Sequence, residues 1–192
     1  MQQSLNKKIS GVYAITPDEP VNFTLVEKVI IKYEINIIQY RRKTTDEKVK
    51  YTEAKKLQQL CTLHNTLFII NDDINLTEKI GADGVHLGKS DGSVVNARER
   101  LGEKAIIGAS CYNDIGLAIR AEQCGASYVA FGSLFSSNTK PNAQHCSLDV
   151  ITKARQLLSI PIVGIGGIDF KNSNKVFDAG CNAAAMLSYL FK

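Results

Sequence analysis

Ala105-Ile106-Ile107-Gly108-Ala109-Ser110, then Ile115-Gly116-Leu117-Ala118-Ile119-Arg120-Ala121-Glu122-Gln123-Cys124-Gly125, then Tyr128-Val129-Ala130-Phe131-Gly132 carry the plan of the whole chain. The first apolar run reads as a buried strand, the amphipathic run as a helix closed by Gly125, and the last run as a second strand. Joining two strands through a helix makes them parallel, because a tight turn can connect only antiparallel neighbours.

Working outward, the same unit recurs. Strand segments are predicted at 11–16, 36–40, 67–71, 84–87, 105–109, 128–132, 161–165 and 183–187. Residues 25–33, 46–64 and 115–124 read as helices, and Gly81 and Gly180 close two more. About eight such units, each of roughly 20 to 25 residues, close into a barrel. The expected fold class is α/β, a compact (β/α)8 TIM barrel with a truncated last helix, because only residues 188–192 follow the final strand. Residues 1–192 read as a single barrel domain, short for a class in which about 250 residues is typical. The alternative, an open doubly wound sheet, would hold phosphate at a glycine-rich first turn, and Thr16-Pro17-Asp18-Glu19-Pro20 has no Gly-x-Gly-x-x-Gly.

Bulk properties narrow the function. Lys+Arg 23 against Asp+Glu 19 gives +4, too mild a balance to mark a nucleic-acid or membrane surface. Five cysteines, odd in number and without a Cys-x-x-Cys pair, suit reduced thiols. The first residues lack an apolar signal core, and no apolar stretch approaches the roughly 20 residues that cross a bilayer. A cytoplasmic protein is expected, with no nucleic-acid or membrane partner, and the chain leaves room for a homo-oligomer.

Polar residues fall just after the apolar runs. Gln39-Tyr40-Arg41-Arg42-Lys43 continues a strand whose period of two turns Gln39, Arg41 and Lys43 to one face and Tyr40 and Arg42 to the other. A solvated basic loop is the bland alternative. Asn71-Asp72 follows the next run, and because Asp73 can cap the following helix, Asp72 is left for other work. Asp91 follows the run after that. Neighbouring strand ends can bring Asp72 and Asp91 to one cation, and two carboxylates with waters and substrate oxygens suit Mg2+. His86 reads as a packed or hydrogen-bonding residue, and His64 and His145 are not at zinc-ligand spacing. Ser110 can donate to a phosphate oxygen, and no motif places a base to make it a nucleophile. Residues 132–141 form a lid-like polar loop carrying Thr139 and Lys140, the latter held extended by the following proline.

Gly164-Ile165-Gly166-Gly167-Ile168 and Leu187-Ser188 end the last two strands, where barrels build a backbone phosphate site. The Gly166-Gly167 pair alone could equally be a plain turn. Together with the basic cluster it suggests two phosphate positions across one mouth, a charge-rich one near Arg41, Lys43 and Lys140 and a backbone one near Gly167 and Ser188.

These motifs resemble the thiamine-phosphate synthase (thiamine-phosphate pyrophosphorylase) family over nearly the whole chain. The resemblance rests on Gln39-x-Arg41-x-Lys43, Ile70-Asn71-Asp72, Gly81-Ala82-Asp83-Gly84-Val85-His86-Leu87-Gly88, Asp91, Gly108-x-Ser110, Thr139-Lys140-Pro141, and the run Pro161-Ile162-Val163-Gly164-Ile165-Gly166-Gly167-Ile168. It implies a Mg2+-dependent transferase that joins two small phosphorylated heterocyclic substrates, hydroxymethylpyrimidine diphosphate and thiazole phosphate, and releases pyrophosphate. It also implies that Gln39 contacts the pyrimidine and that Arg41, Lys43, Asn71, Ser110 and Lys140 hold pyrophosphate, with Lys140, Arg41 and Ser110 as the catalytic set. Asp72 and Asp91 would bind Mg2+, and Thr139, Gly167, Leu187 and Ser188 would lie on the thiazole-phosphate side. Lys89, Cys111-Tyr112 and Ser136-Ser137-Asn138 depart from the family pattern. A thiazole tautomerase or a noncatalytic phosphate-ligand binder are the alternatives on the same barrel.

Overall fold

Short apolar runs separated by helix-sized segments can lie side by side only in parallel, and the chain folds that way. The computed structural model describes residues 9–88, 92–136 and 144–192. Its strands are β1 (Gly11–Ile15), β2 (Ile37–Tyr40), β3 (Leu67–Asn71), β4 (Gly84–Leu87), β5 (Ile106–Tyr112), β6 (Tyr128–Phe131), β7 (Ile162–Ile165) and β8 (Ala183–Met186). They pair in sequence order, every pair parallel, and β8 closes onto β1. The helices between them are α1 (Phe23–Lys32), α2 (Glu47–Leu63), α3 (Ile74–Ile80), α4 (Val94–Leu101), α5 (Ile115–Gln123), α6 (Leu148–Leu157) and α7 (Ser173–Asp178). This is the expected (β/α)8 barrel. Its last helix is reduced to a turn, in which the Leu190 N–H donates to the Leu187 carbonyl at 3.2 Å.

Both faces of each strand are covered, which is why the strands read as continuous apolar runs rather than alternating ones. Tyr13, Ile37, Ile69, Ile106, Tyr128, Val163 and Ala183 fill the barrel interior. Their alternates, among them Ala14, Ile38, Phe68, Ile70, Val129 and Ala184, pack outward against the helices. Side chains start the helices where the sequence places caps: Asp46, Asp73, Ser93 and Asp114 each accept a first-turn N–H. Gly81 ends α3 in the left-handed region at φ 68°.

Two expectations need correction. The basic run does not extend β2: the β2–β3 ladder stops at Tyr40 opposite Ile70. Beyond it the Arg41 N–H donates to Thr16 Oγ1 at 2.9 Å and the Lys43 N–H to Asp18 Oδ1 at 2.7 Å. These side chains from the loop after β1 take the backbone donors a sheet would have used, so the period of two ends with the strand. The second concerns β5, which runs past Ser110 to Tyr112. Its pairing with β6 resumes through an irregularity between Ser110 and Tyr112. Ser110 therefore stands on a strand rather than after one.

Candidate functional site

Because all eight strands are parallel, their C-terminal ends share one rim, where (β/α)8 enzymes build their sites. Strand parity divides the residues there into an inner set and a rim set.

The inner set is a buried hydrogen-bonded chain. The Gln39 amide nitrogen donates to the Tyr13 hydroxyl at 3.0 Å, and that hydroxyl lies 2.8 Å from the Tyr128 hydroxyl. The Tyr128 hydroxyl is 3.0 Å from His86 Nδ1, and His86 Nε2 is 2.8 Å from Ser110 Oγ. Burial raises both phenols well above the usual tyrosine range, so each keeps its proton. Gln39 and Ser110, both singled out from the sequence, are the ends of this chain; His86 hydrogen-bonds as expected, and it stands beside Ser110, where the sequence motifs showed no base. Tyr13 and Tyr128 were not singled out, although a phenol at an inward-facing position always needs a partner.

The rim set lies above β2 and β3. Lys43, Asn71 and Asp72 line one groove of about 550 Å³, together with Arg42, Lys50, Asp73 and Arg100. Arg41 pairs with Asp18 at 3.7 Å. Arg42 stands 3.9 Å from Asp18 and 3.3 Å from Glu53, which also accepts the Tyr40 hydroxyl at 2.7 Å. Arg42 therefore shares the groove with Lys43, which the strand alternation had put on opposite faces.

At the end of β3 the roles divide as the sequence suggests. Asp73 caps α3 by accepting the Leu76 N–H at 2.8 Å and also takes Lys50 Nζ at 3.3 Å. Asp72 sits at φ 64°, its N–H donating to the His86 carbonyl at 2.8 Å, and the Asn71 amide donates to its carboxylate. A left-handed aspartate costs about 1–2 kcal/mol, which the cross-strand bond offsets. Its placement is thus specified by the backbone. Asp91, Thr139 and Lys140 lie outside the described residues, as does Lys89.

On the far side of the rim, Gly166 and Gly167 have φ 103° and 62°. A Cβ on Gly167 would lie 2.4 Å from the Ser136 carbonyl oxygen, so this turn fits under residues 133–136 only without a side chain. The loop is stitched to it by Leu134 and Phe135 N–H groups donating to Ile165 and Gly166 carbonyls. Leu187 packs on the interior cluster, and Ser188 is exposed at the end of β8.

Residues 12–190 match the thiamine monophosphate synthase family model. The chain belongs to that family. The thiamine-phosphate synthase of Nitrosococcus oceani is 45% identical over 193 residues, covering 98% of this chain and 88% of that protein. The one from Chromobacterium violaceum is 44% identical over 186 residues, covering 96% and 89%. Among solved structures, thiamine phosphate pyrophosphorylase from Pyrococcus furiosus superposes with TM-score 0.86 at 31% identity, over 96% of this chain and 88% of that one. As a member of the thiamine monophosphate synthase family the chain is an enzyme of thiamine biosynthesis, a transferase on a TIM barrel. Among the described residues, no helix is long and apolar enough to cross a membrane.

Proposed function

We propose that this enzyme couples hydroxymethylpyrimidine diphosphate to thiazole phosphate, giving thiamine phosphate and pyrophosphate with Mg2+ bound, in the cytoplasm. The observation that carries the reading is the rim groove in which Lys43, Asn71 and Asp72 meet. A groove with cations and a carboxylate on its wall suits a diphosphate that arrives with a divalent metal, since neither charge sign alone would tolerate the other's ligand.

The donor set fits magnesium. Asp72 offers a hard carboxylate, Asn71 orients it, and Asp91 is the second carboxylate proposed; Mg2+ needs few protein ligands because it keeps several waters. When bound, Mg2+ would neutralise charge on the diphosphate oxygens. The chain's own residues do the rest. Gln39 would hold the pyrimidine at the base of the mouth, and Arg41, Lys43, Asn71, Ser110 and Lys140 the diphosphate. Thr139, Gly167, Leu187 and Ser188 would hold the thiazole phosphate.

The pyrimidine methylene–oxygen bond breaks with its electron pair leaving on pyrophosphate, and the thiazole nitrogen lone pair forms the new carbon–nitrogen bond. No protein nucleophile takes part. Ser110 would act as an anion contact, and the walls would contribute by aligning two reactants and stabilising the departing charge, each worth several kcal/mol. The test is to incubate purified protein with both heterocycles, with and without Mg2+, and to detect thiamine phosphate by mass. Product that requires the metal is expected. No product with the metal present would overturn the reading.

A further inference from the structure

The buried chain beneath the rim joins two residues assigned separate tasks, Gln39 and Ser110, through three that have none. Tyr13 is 1% exposed, Tyr128 0% and His86 9%, so these are hydrogen bonds made away from solvent. The Tyr128 and His86 rings stack at 5.5 Å and 24°. Space for this is created by Gly108, where a Cβ would fall 2.1 Å from Tyr128 Cζ and 2.6 Å from His86 Nδ1. Gly108 stands two residues before Ser110 on the same face of β5, so one strand supplies both the gap and the hydroxyl at its end.

A phenol carries one proton. Flanked on both sides, each tyrosine hydroxyl must donate one way and accept from the other, or leave two lone pairs facing each other. With His86 neutral, two proton orders satisfy every link of the chain. With the Gln39 amide nitrogen donating to Tyr13, the order is set: Tyr13 donates to Tyr128, Tyr128 to His86 Nδ1, and His86, carrying its proton on Nε2, to Ser110 Oγ. Ser110 is then left to donate its own proton into the mouth. The opposite order would turn the Ser110 proton back onto His86 and present lone pairs to an incoming anion, which would be repulsive.

We propose that Tyr13, Tyr128 and His86 are positioning residues, a directional hydrogen-bond relay that fixes Ser110 as a donor to the diphosphate and ties its orientation to the amide of Gln39. This rests on the reading of Ser110 as an anion contact. No proton is transferred along the relay. Its effect is to remove the rotational freedom of one hydroxyl and to polarise it through four successive bonds.

Two measurements test it. The first is the 15N NMR signature of the His86 imidazole, assigned against His64→Gln and His145→Gln variants, in the resting protein and after addition of inorganic pyrophosphate with Mg2+. The relay requires the Nε2–H form in both states, and loss of that preference in Tyr128→Phe. An Nδ1–H form, or a preference unmoved by Tyr128→Phe, overturns it. This readout does not depend on turnover, so it separates failure of the relay from failure of the functional reading.

The second is a double-mutant cycle on turnover. Tyr128→Phe keeps the ring and is expected to lower kcat about tenfold, the worth of one hydrogen bond to a charged group, with a smaller change in KM. In a Ser110→Ala background the same change should cost less than about twofold, because the relay then has nothing to orient. Additive losses overturn the proposal. Tyr13→Phe, which breaks the chain one link earlier, repeats the cycle should Tyr128→Phe fold poorly.

Discussion

At the N-terminal end of the barrel, polar side chains terminate mostly on backbone. Arg98 donates to the carbonyls of Gly102, Ala105 and Gly125, each within 2.8 Å. Arg155 donates to the Ile160 and Leu158 carbonyls, Gln58 to those of Ile80 and Gly81, and Glu122 accepts the N–H groups of Ser159 and Ile160. At the C-terminal end, by contrast, a buried run of side chains meets other side chains, and Arg42, Lys43, Lys50 and Arg100 line an open groove. The first arrangement ties helix ends to the strands that follow and leaves no chemistry available. The second sets cationic and carboxylate side chains around an open groove. The same polar residue types therefore tie backbone below and face an open groove above, and only topology tells them apart.

Substitutions at the two ends should accordingly fail differently. Asp72→Ala is expected to have the largest effect, lowering turnover by about a hundredfold or more while its melting temperature stays within about 2 °C of the parent. A variant that instead melted far lower would erase the distinction. Arg98→Ala should do the reverse: three carbonyls lose their donor, costing about 2 kcal/mol of unfolding free energy, while KM for both substrates holds in the folded fraction. Denaturant melts alongside steady-state kinetics check this pair. Lys43→Ala is a smaller loss, about tenfold in KM for the pyrimidine diphosphate, steeper at low ionic strength because the contact is exposed.

The smallest effect belongs to Glu122. Burial alone would raise its pKa, but hydrogen bonds from Ser159 and Ile160 outweigh it and lower the carboxyl below its usual value. A lowered folded pKa contributes stability above the unfolded value, and that contribution is lost as pH falls through the folded one. Glu122→Gln should therefore melt below the parent near neutral pH, and the gap should close as pH falls through and below the ordinary carboxylate range. A gap independent of pH would show that the carboxylate's charge is not what matters there.

Most of the fold was legible because strand, helix and return glycine are each local patterns repeated along the chain. Asp73 as the α3 cap followed from the same local logic, which also set Asp72 apart. The end of β2 was not legible. Alternation in Gln39-Tyr40-Arg41-Arg42-Lys43 looks the same whether or not a ladder partner is present, and Thr16 and Asp18, which replace that partner, come from another loop. The relay was hidden for a related reason: Tyr13 and Tyr128 are 115 residues apart and meet only when the barrel closes. What the sequence did contain was a parity argument, since Tyr13 and Tyr128 fall on inward positions and Gly108 leaves a gap beside them.

The tie between the first two loops has its own consequence. Thr16 and Asp18 hold the backbone N–H groups of Arg41 and Lys43, and Asp18 also faces the Arg41 guanidinium. The basic segment is in effect a graft whose stem grows from the preceding crossover. Swapping it alone from a relative would transplant the charges without the frame that aims them, so in engineering these two pieces need to be moved as one cassette.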